Sequence, residues 1–180
     1  KEIIHTKLFD YEKAEASAGW IKELENEHTP ETEEYGISSL VFRSKKPFHP
    51  DRFLKYLNRN FPQNIIRSKG LFWLASRSSQ ALVWSTAGGS FKADSAGVWW
   101  GSMPFSERIN YATFIENKEQ IETEWDSLYA DRKIEMVFIG QHLNKEAMVT
   151  QLNNCLLTKE EEQQWKEHLF PQKDLWPITL

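Results

Sequence analysis

The chain has 180 residues, 40% of them hydrophobic and 27% charged, with a formal net charge of −4. That balance belongs to a folded domain and excludes a collagen-like, coiled-coil or low-complexity protein. No run approaches the roughly 18 apolar residues of a membrane span, and residues 1–10 lack the apolar core of a signal peptide. The single cysteine, Cys155, excludes an internal disulfide framework and a multi-cysteine zinc site, and fits a reducing, cytoplasmic compartment.

Charge is distributed unevenly. Residues 22–34 carry six acids against one base and read as a solvated linker. Residues 43–77 carry nine bases and one acid, a block able to attract phosphates or an acidic partner surface, or simply to lay its Arg and Lys stems over neighbouring rings.

In chain order, Asp10 caps a short helix through Ala16, and Trp20, Ile21 and Leu24 mark a second helical piece beyond Gly19. Residues 36–43 read as a strand with apolar groups on both faces, hence covered at least in part on both sides. Pro50 suits the first position of a helix whose stripe is Phe53, Leu54 and Leu57 and which Pro62 ends. Ile65–Ala75 reads as one long strand with Gly70 as a bulge or bend. Ala81–Thr86, Phe91–Asp94 and Val98–Trp100 complete a meander, with a turn at Gly88-Gly89. One helix is expected within Ser106–Trp125, followed by a central strand at Ile134–Gly140. Asn144 caps a helix bearing Met148, Leu152 and Cys155. Thr158-x-x-Glu161 is a capping box opening a last helix with Trp165 and Leu169 on one face. Residues 171–180 read as an irregular tail that holds Trp176. The order predicts an α+β domain: helices packed on a mainly antiparallel sheet.

Chemistry-bearing motifs are sparse. Neither G-x-x-x-x-G-K-[ST] nor G-x-G-x-x-G occurs, and no H-E-x-x-H or G-x-S-x-G. Cys155 falls on an apolar stripe, the place of an inert thiol. His49, between Phe48 and Pro50, reads as a loop imidazole bonding the backbone at a helix start, or as one ligand of a metal site assembled in space. The rings interleaved with the basic block could stack single-stranded nucleic acid, although the overall acidity and the lack of an RNP-type sequence disfavour it.

Several segments, in this order, resemble the C-terminal domain of the CobW family of P-loop GTPases. They are Glu34-Tyr-Gly-Ile-Ser-Ser39, Pro47-Phe-His-Pro-x-Arg-Phe53, Arg67-Ser-Lys-Gly-x-Phe-Trp-Leu-Ala75, Trp84-Ser-x-Ala-Gly-Gly89, Trp99-Trp100, Asp131-Arg-Lys-x-Glu-x-Val-Phe-Ile-Gly140 and Cys155-Leu-Leu-Thr-x-Glu-Glu161. The resemblance implies three parts: residues 1–33 as linker and short helices from the end of a GTPase domain, residues 34–170 as the CobW C-terminal-like domain, and residues 171–180 as a tail. It implies a parent protein that uses GTP and Mg to deliver zinc or cobalt to a metalloenzyme client. Because the phosphate loop and the Cys-rich motif are missing here, this chain is expected to hold no cofactor and no catalytic residue. Its own N-terminal GTPase domain would be its first partner, with no role for a membrane. The expected contact surface joins Phe48, His49, Arg52, Arg67, Lys69 and Trp73, which combine aromatic anchors with cations. Two other readings stand beside this docking role: a metal-carrying domain in its own right, and a single-stranded nucleic-acid module.

Overall fold

The computed structural model describes residues 35–87 and 90–176. The helices expected near Asp10 and Trp20, the acidic linker and the Gly88-Gly89 turn lie outside them. The elements in chain order are β1 (Ile37–Ser44), α1 (Pro50–Arg59), β2 (Ile65–Phe72), β3 (Gln80–Ala87), β4 (Ser90–Val98), α2 (Phe105–Arg108), α3 (Ala112–Glu116), α4 (Lys118–Thr123), β5 (Ile134–Gln141), α5 (Lys145–Cys155) and α6 (Lys159–Lys166). The chain divides into two units, Lys1–Ile37 and Ser38–Leu180. Apart from the first residue of β1, these elements belong to the second unit.

The strands form one five-stranded sheet in the order β1-β5-β2-β3-β4. β2 pairs antiparallel with β5 and β3, and β3 with β4, which makes the α+β arrangement that the element order predicts. Alternation decides the layers. Phe42, Phe72, Leu82, Trp84, Met136 and Phe138 are buried on one face, under Phe53 and Tyr56 of α1 and Met148, Leu152 and Cys155 of α5. Val41, Val83 and Ile139 point the other way and stay 37–40% exposed. Among the described residues, helices cover the sheet on one side, and Val41 leaves the second face of β1 less covered than its composition predicts.

Local chemistry explains three of the helix starts. Pro50 sits at the first turn of α1, and Asp51 lies at its positive end. Asn144 accepts from the Ala147 amide at 3.0 Å to cap α5, and Thr158 and Glu161 make the expected reciprocal capping box at α6. Leu169 lies beyond α6 and is exposed rather than on its buried side.

Three other expectations change. The stretch after β4 is three short helices, not one. Asn110 and Asn117 donate back to the carbonyls of Ser106 and Thr113, at 3.0 and 2.9 Å, where the turns break. Trp125 lies outside all three and instead faces the Arg108 guanidinium, 4.8 Å from its ring centroid. The two strands expected around Gly97 are one. Gly97 takes φ 117°, where the register against β3 shifts between Ala81 and Leu82.

Gly70 is not the bulge of β2, whose register shift falls between Ile65 and Arg67. Gly70 pairs in register with Met136 and Trp84, and a Cβ there would lie 2.1 Å from the Glu135 carbonyl oxygen and 2.5 Å from the Met136 Cα. Glycine lets β2 and β5 approach.

The described residues after α6, 167–176, lack helix or strand but are tied down. Trp176 is buried, stacked 5.5 Å from Phe53 and edge-on to Phe72. Arg77 holds it there by donating to Asp174 at 2.8 and 3.0 Å and to the Trp176 carbonyl at 3.0 Å.

Two substitutions test this packing by urea denaturation. Gly70→Ala is expected to cost about 1–3 kcal/mol, since backbone must move to admit the methyl. Trp176→Ala is expected to cost about 3–5 kcal/mol. A loss under about 0.5 kcal/mol, the range of an uninvolved surface position, would contradict either contact.

Candidate functional site

The structure separates the six residues expected to share one surface. Phe48 and Trp73 are fully buried and present no area to a partner. The Phe48 ring stacks on Phe53 with centroids 4.0 Å apart. Trp73 packs edge-on to Tyr129 and Trp165, donates Nε1–H to the Lys45 carbonyl at 3.2 Å, and carries the Arg132 guanidinium over its ring at 5.6 Å. These two rings are core by necessity. The Phe48 segment is paired on both sides, with Trp73–Ala75 and with Cys155–Leu157, so neither ring can turn outward without breaking the bonds they share.

His49 and Arg52 do come together, around a residue that sequence reading placed only in a helix cap. Arg52 donates Nη1 and Nη2 to the two oxygens of Glu161 at 2.7 and 2.6 Å and also bonds the Leu156 carbonyl at 2.8 Å. This bidentate pair pins the start of α1 to the start of α6. The expected bond from the His49 ring to the helix start is not made: α1 has no side-chain cap, and the buried His49 Nδ1 has no hydrogen-bond partner among the described residues. Its Nε2 lies 3.8 Å from Glu161 Oε1, and its ring meets Phe170 edge-on at 5.6 Å. Burial, then the charge of Arg52, lowers the imidazole pKa, against the pull of Glu161. The imidazole is thus biased toward its neutral form.

Could this cluster hold a metal? Glu161 already spends both oxygens on Arg52, whose cation would repel a second one. Cys155 donates Sγ–H toward the Arg52 carbonyl at 3.7 Å, and burial pushes its thiol up to about 11, the opposite of an activated thiolate. Among the described residues no group of three or more His, Cys, Asp or Glu is placed to bind a metal ion. The donor set fits a structural clamp better than a zinc site.

Arg67 and Lys69 lie elsewhere, on the central strand β2, pointing out of the open face. Lys69 stands opposite Val137 and Ser85, and Arg67 opposite Ile139 and Ala87. Both are exposed and make no ion pair among the described residues. The signal that finds this face is the period-2 alternation of β2, where Ser68 and Phe72 turn inward. Ser68 is satisfied in the core by the Thr86 hydroxyl at 2.8 Å and by Trp84 Nε1–H at 2.6 Å.

The clamp has a pH signature. The hydrogen bonds of Arg52 hold the Glu161 carboxyl down at about 2, against an ordinary 4.5. A folded-state pKa below the unfolded one stabilises at pH above the unfolded value, and that contribution fades as pH falls toward 2. Glu161→Gln keeps a residue type the capping box accepts. It is expected to cost about 1–2 kcal/mol at neutral pH, allowing for solvent screening of a partly exposed pair. It should also flatten the loss of stability between pH 5 and 2 in urea melts. An acid profile identical to that of the unsubstituted chain would contradict the clamp.

Comparison with known proteins places the chain. It is 35% identical over 188 residues to the zinc-regulated GTPase metalloprotein activator 1 of Dictyostelium discoideum, covering 100% of this chain and 37% of that protein. It is 28% identical over 141 residues to a zinc chaperone of Mycobacterium tuberculosis, covering 77% of this chain and 35% of that protein. The chain thus spans roughly a third of the length of these curated relatives. Among solved structures, a Zn(II)-bound triple mutant of the YjiA GTPase aligns with TM-score 0.46 and 18% identity, over 67% of this chain and 30% of that one. Zn(II)-bound YjiA GTPase from E. coli aligns with TM-score 0.44 and 16% identity, over 73% and 33%. Residues 37–156 match the family model described as the cobalamin synthesis protein cobW C-terminal domain. With most of its length inside that match, the chain belongs to the CobW C-terminal domain family.

Proposed function

We propose that this chain is the accessory, partner-docking domain of a GTP-dependent zinc chaperone, acting beside a GTPase domain encoded on the same polypeptide. The observation that carries the reading is the extent of the likeness: the whole chain aligns onto only 37% of a protein named as a zinc-regulated GTPase metalloprotein activator. Nucleotide chemistry then belongs to the other part of the parent, where a phosphate loop and Mg would sit. Zinc is the parent's cargo, and a metalloenzyme client is its destination. Residues 1–33 serve as the connection from the GTPase domain. This domain's share is recognition, for which a sheet with one open face offers a broad, rigid surface.

The test starts upstream of Lys1, where the coding sequence is expected to encode a phosphate loop and a Cys-rich motif. The parent should hydrolyse GTP, and the 180-residue chain alone should not. Deleting residues 37–156 from the parent should lower zinc-dependent activation of its client by about tenfold, while basal GTP hydrolysis stays within about threefold. An upstream sequence without a phosphate loop, or full client activation by the truncated parent, would overturn the proposal.

A further inference from the structure

We infer that the open face of the sheet docks a protein partner that presents carboxylates among aliphatic side chains, with Arg67 and Lys69 as the two cationic anchors. The inference rests on the accessory-domain reading and names the chemistry of the partner.

The charge pattern of the face commits it to an anionic partner. Four of its charges are already spent in pairs. Arg43 Nη2 holds Glu135 Oε1 at 2.8 Å, and Lys92 Nζ holds Asp94 Oδ2 at 2.9 Å. Glu135 and Asp94 stand opposite Leu71 and Val83, toward one end of the face. Arg67 and Lys69 occupy the centre, on the middle strand of five, without carboxylate partners among the described residues. Two residues apart on one strand, they project about 7 Å from each other. Val137 and Ile139 stand beside them on β5, Val83 lies on the neighbouring β3 and Val41 on β1, and Val41, Val83 and Ile139 are 37–40% exposed. An apolar floor with unpaired cations at its centre suits a partner whose acids meet the cations while its aliphatic groups cover the floor.

Two other occupants fit less well. Nucleic acid held on a sheet needs rings on the open face for bases to stack on. Here Phe42, Phe72, Trp84 and Phe138 all lie on the covered face, and the residues paired with Arg67 and Lys69 are Ala87, Ile139, Ser85 and Val137, none of them a ring. A second copy docked symmetrically through this face would set its own Arg67 and Lys69 against the same pair, cation on cation.

The experiment titrates the ¹⁵N-labelled 180-residue chain with a short peptide of alternating Glu and Val, a matched peptide of alternating Lys and Val, and a single-stranded oligonucleotide. The Glu/Val peptide should shift the amides of Arg67–Leu71 and Val137–Ile139. It should bind about tenfold or more tightly than the Lys/Val peptide, and added salt should weaken it. Both residues are exposed, so R67Q/K69Q should fold normally and lose that preference, and R67E/K69E should reverse it. Three results overturn the inference: equal binding of the two peptides, shifts confined to other surfaces, or tighter binding of the oligonucleotide at this face. So does a dimer in sedimentation that R67E/K69E dissolves. If deletion of residues 37–156 abolishes client activation by the parent while R67E/K69E leaves it intact, the accessory reading stands and this face is not its docking surface.

Discussion

The fold depends on three residues, Pro47 to His49, that cross between the sheet and the C-terminal helices. Their backbone is tied on both sides. The Phe48 amide donates to the Trp73 carbonyl at 3.1 Å, and the Phe48 carbonyl accepts from Ala75 at 3.1 Å. On the other side, the His49 amide donates to the Cys155 carbonyl at 2.8 Å and the Pro47 carbonyl accepts from Leu157 at 3.2 Å. A buried backbone needs such partners, and here it finds them on segments far apart in sequence. The Phe48 ring then fills the space between Phe42 and Phe53. Pro50 starts α1 at a set point, and Arg52, two residues later, is delivered to Glu161.

This tie reverses the meaning of residues that look functional. An aromatic, a histidine and an arginine within seven positions invite a site. The chemistry they perform is structural: a stacked ring, an imidazole biased toward neutrality by burial and a neighbouring cation, and a guanidinium closing a clamp. The Trp99-Trp100 and Asp131-Arg132 segments behave alike. Asp131 accepts from the Trp100 and Gly101 amides at 2.9 and 2.7 Å, and buried Arg132 donates to the Ser78 and Tyr129 carbonyls and to the Ser102 hydroxyl. Each motif supplies the buried polar partners of another. In β2 the same division runs residue by residue, because the strand period sends Ser68 and Phe72 into the core and Arg67 and Lys69 out of it.

Local signals made much of the fold legible in the sequence. Pro50, Asn144 and the Thr158–Glu161 box place three helices because capping acts over three or four residues. Alternation places β5 and the buried half of β2. What stayed hidden is long-range. Nothing near Arg52 announces Glu161, 109 positions away. Nothing around Trp176 announces a stack on Phe53. The open side of β1 is decided by which helices fold over the sheet, so apolar Val41 reads as buried until the layers are known. The candidate face was half legible: Arg67 and Lys69 stood out by charge, and a two-residue period carried on from them puts Trp73 on the same side, but β2 ends at Phe72 and the chain beyond it turns Trp73 into the core.

Native-state hydrogen exchange on the 180-residue chain tests the tie most directly. The amides of Phe48, His49, Ala75 and Leu157 should exchange only through global unfolding, with opening free energies within about 1 kcal/mol of the total stability. Exchange of these four amides by local opening, at the low protection of a surface loop, would contradict the account.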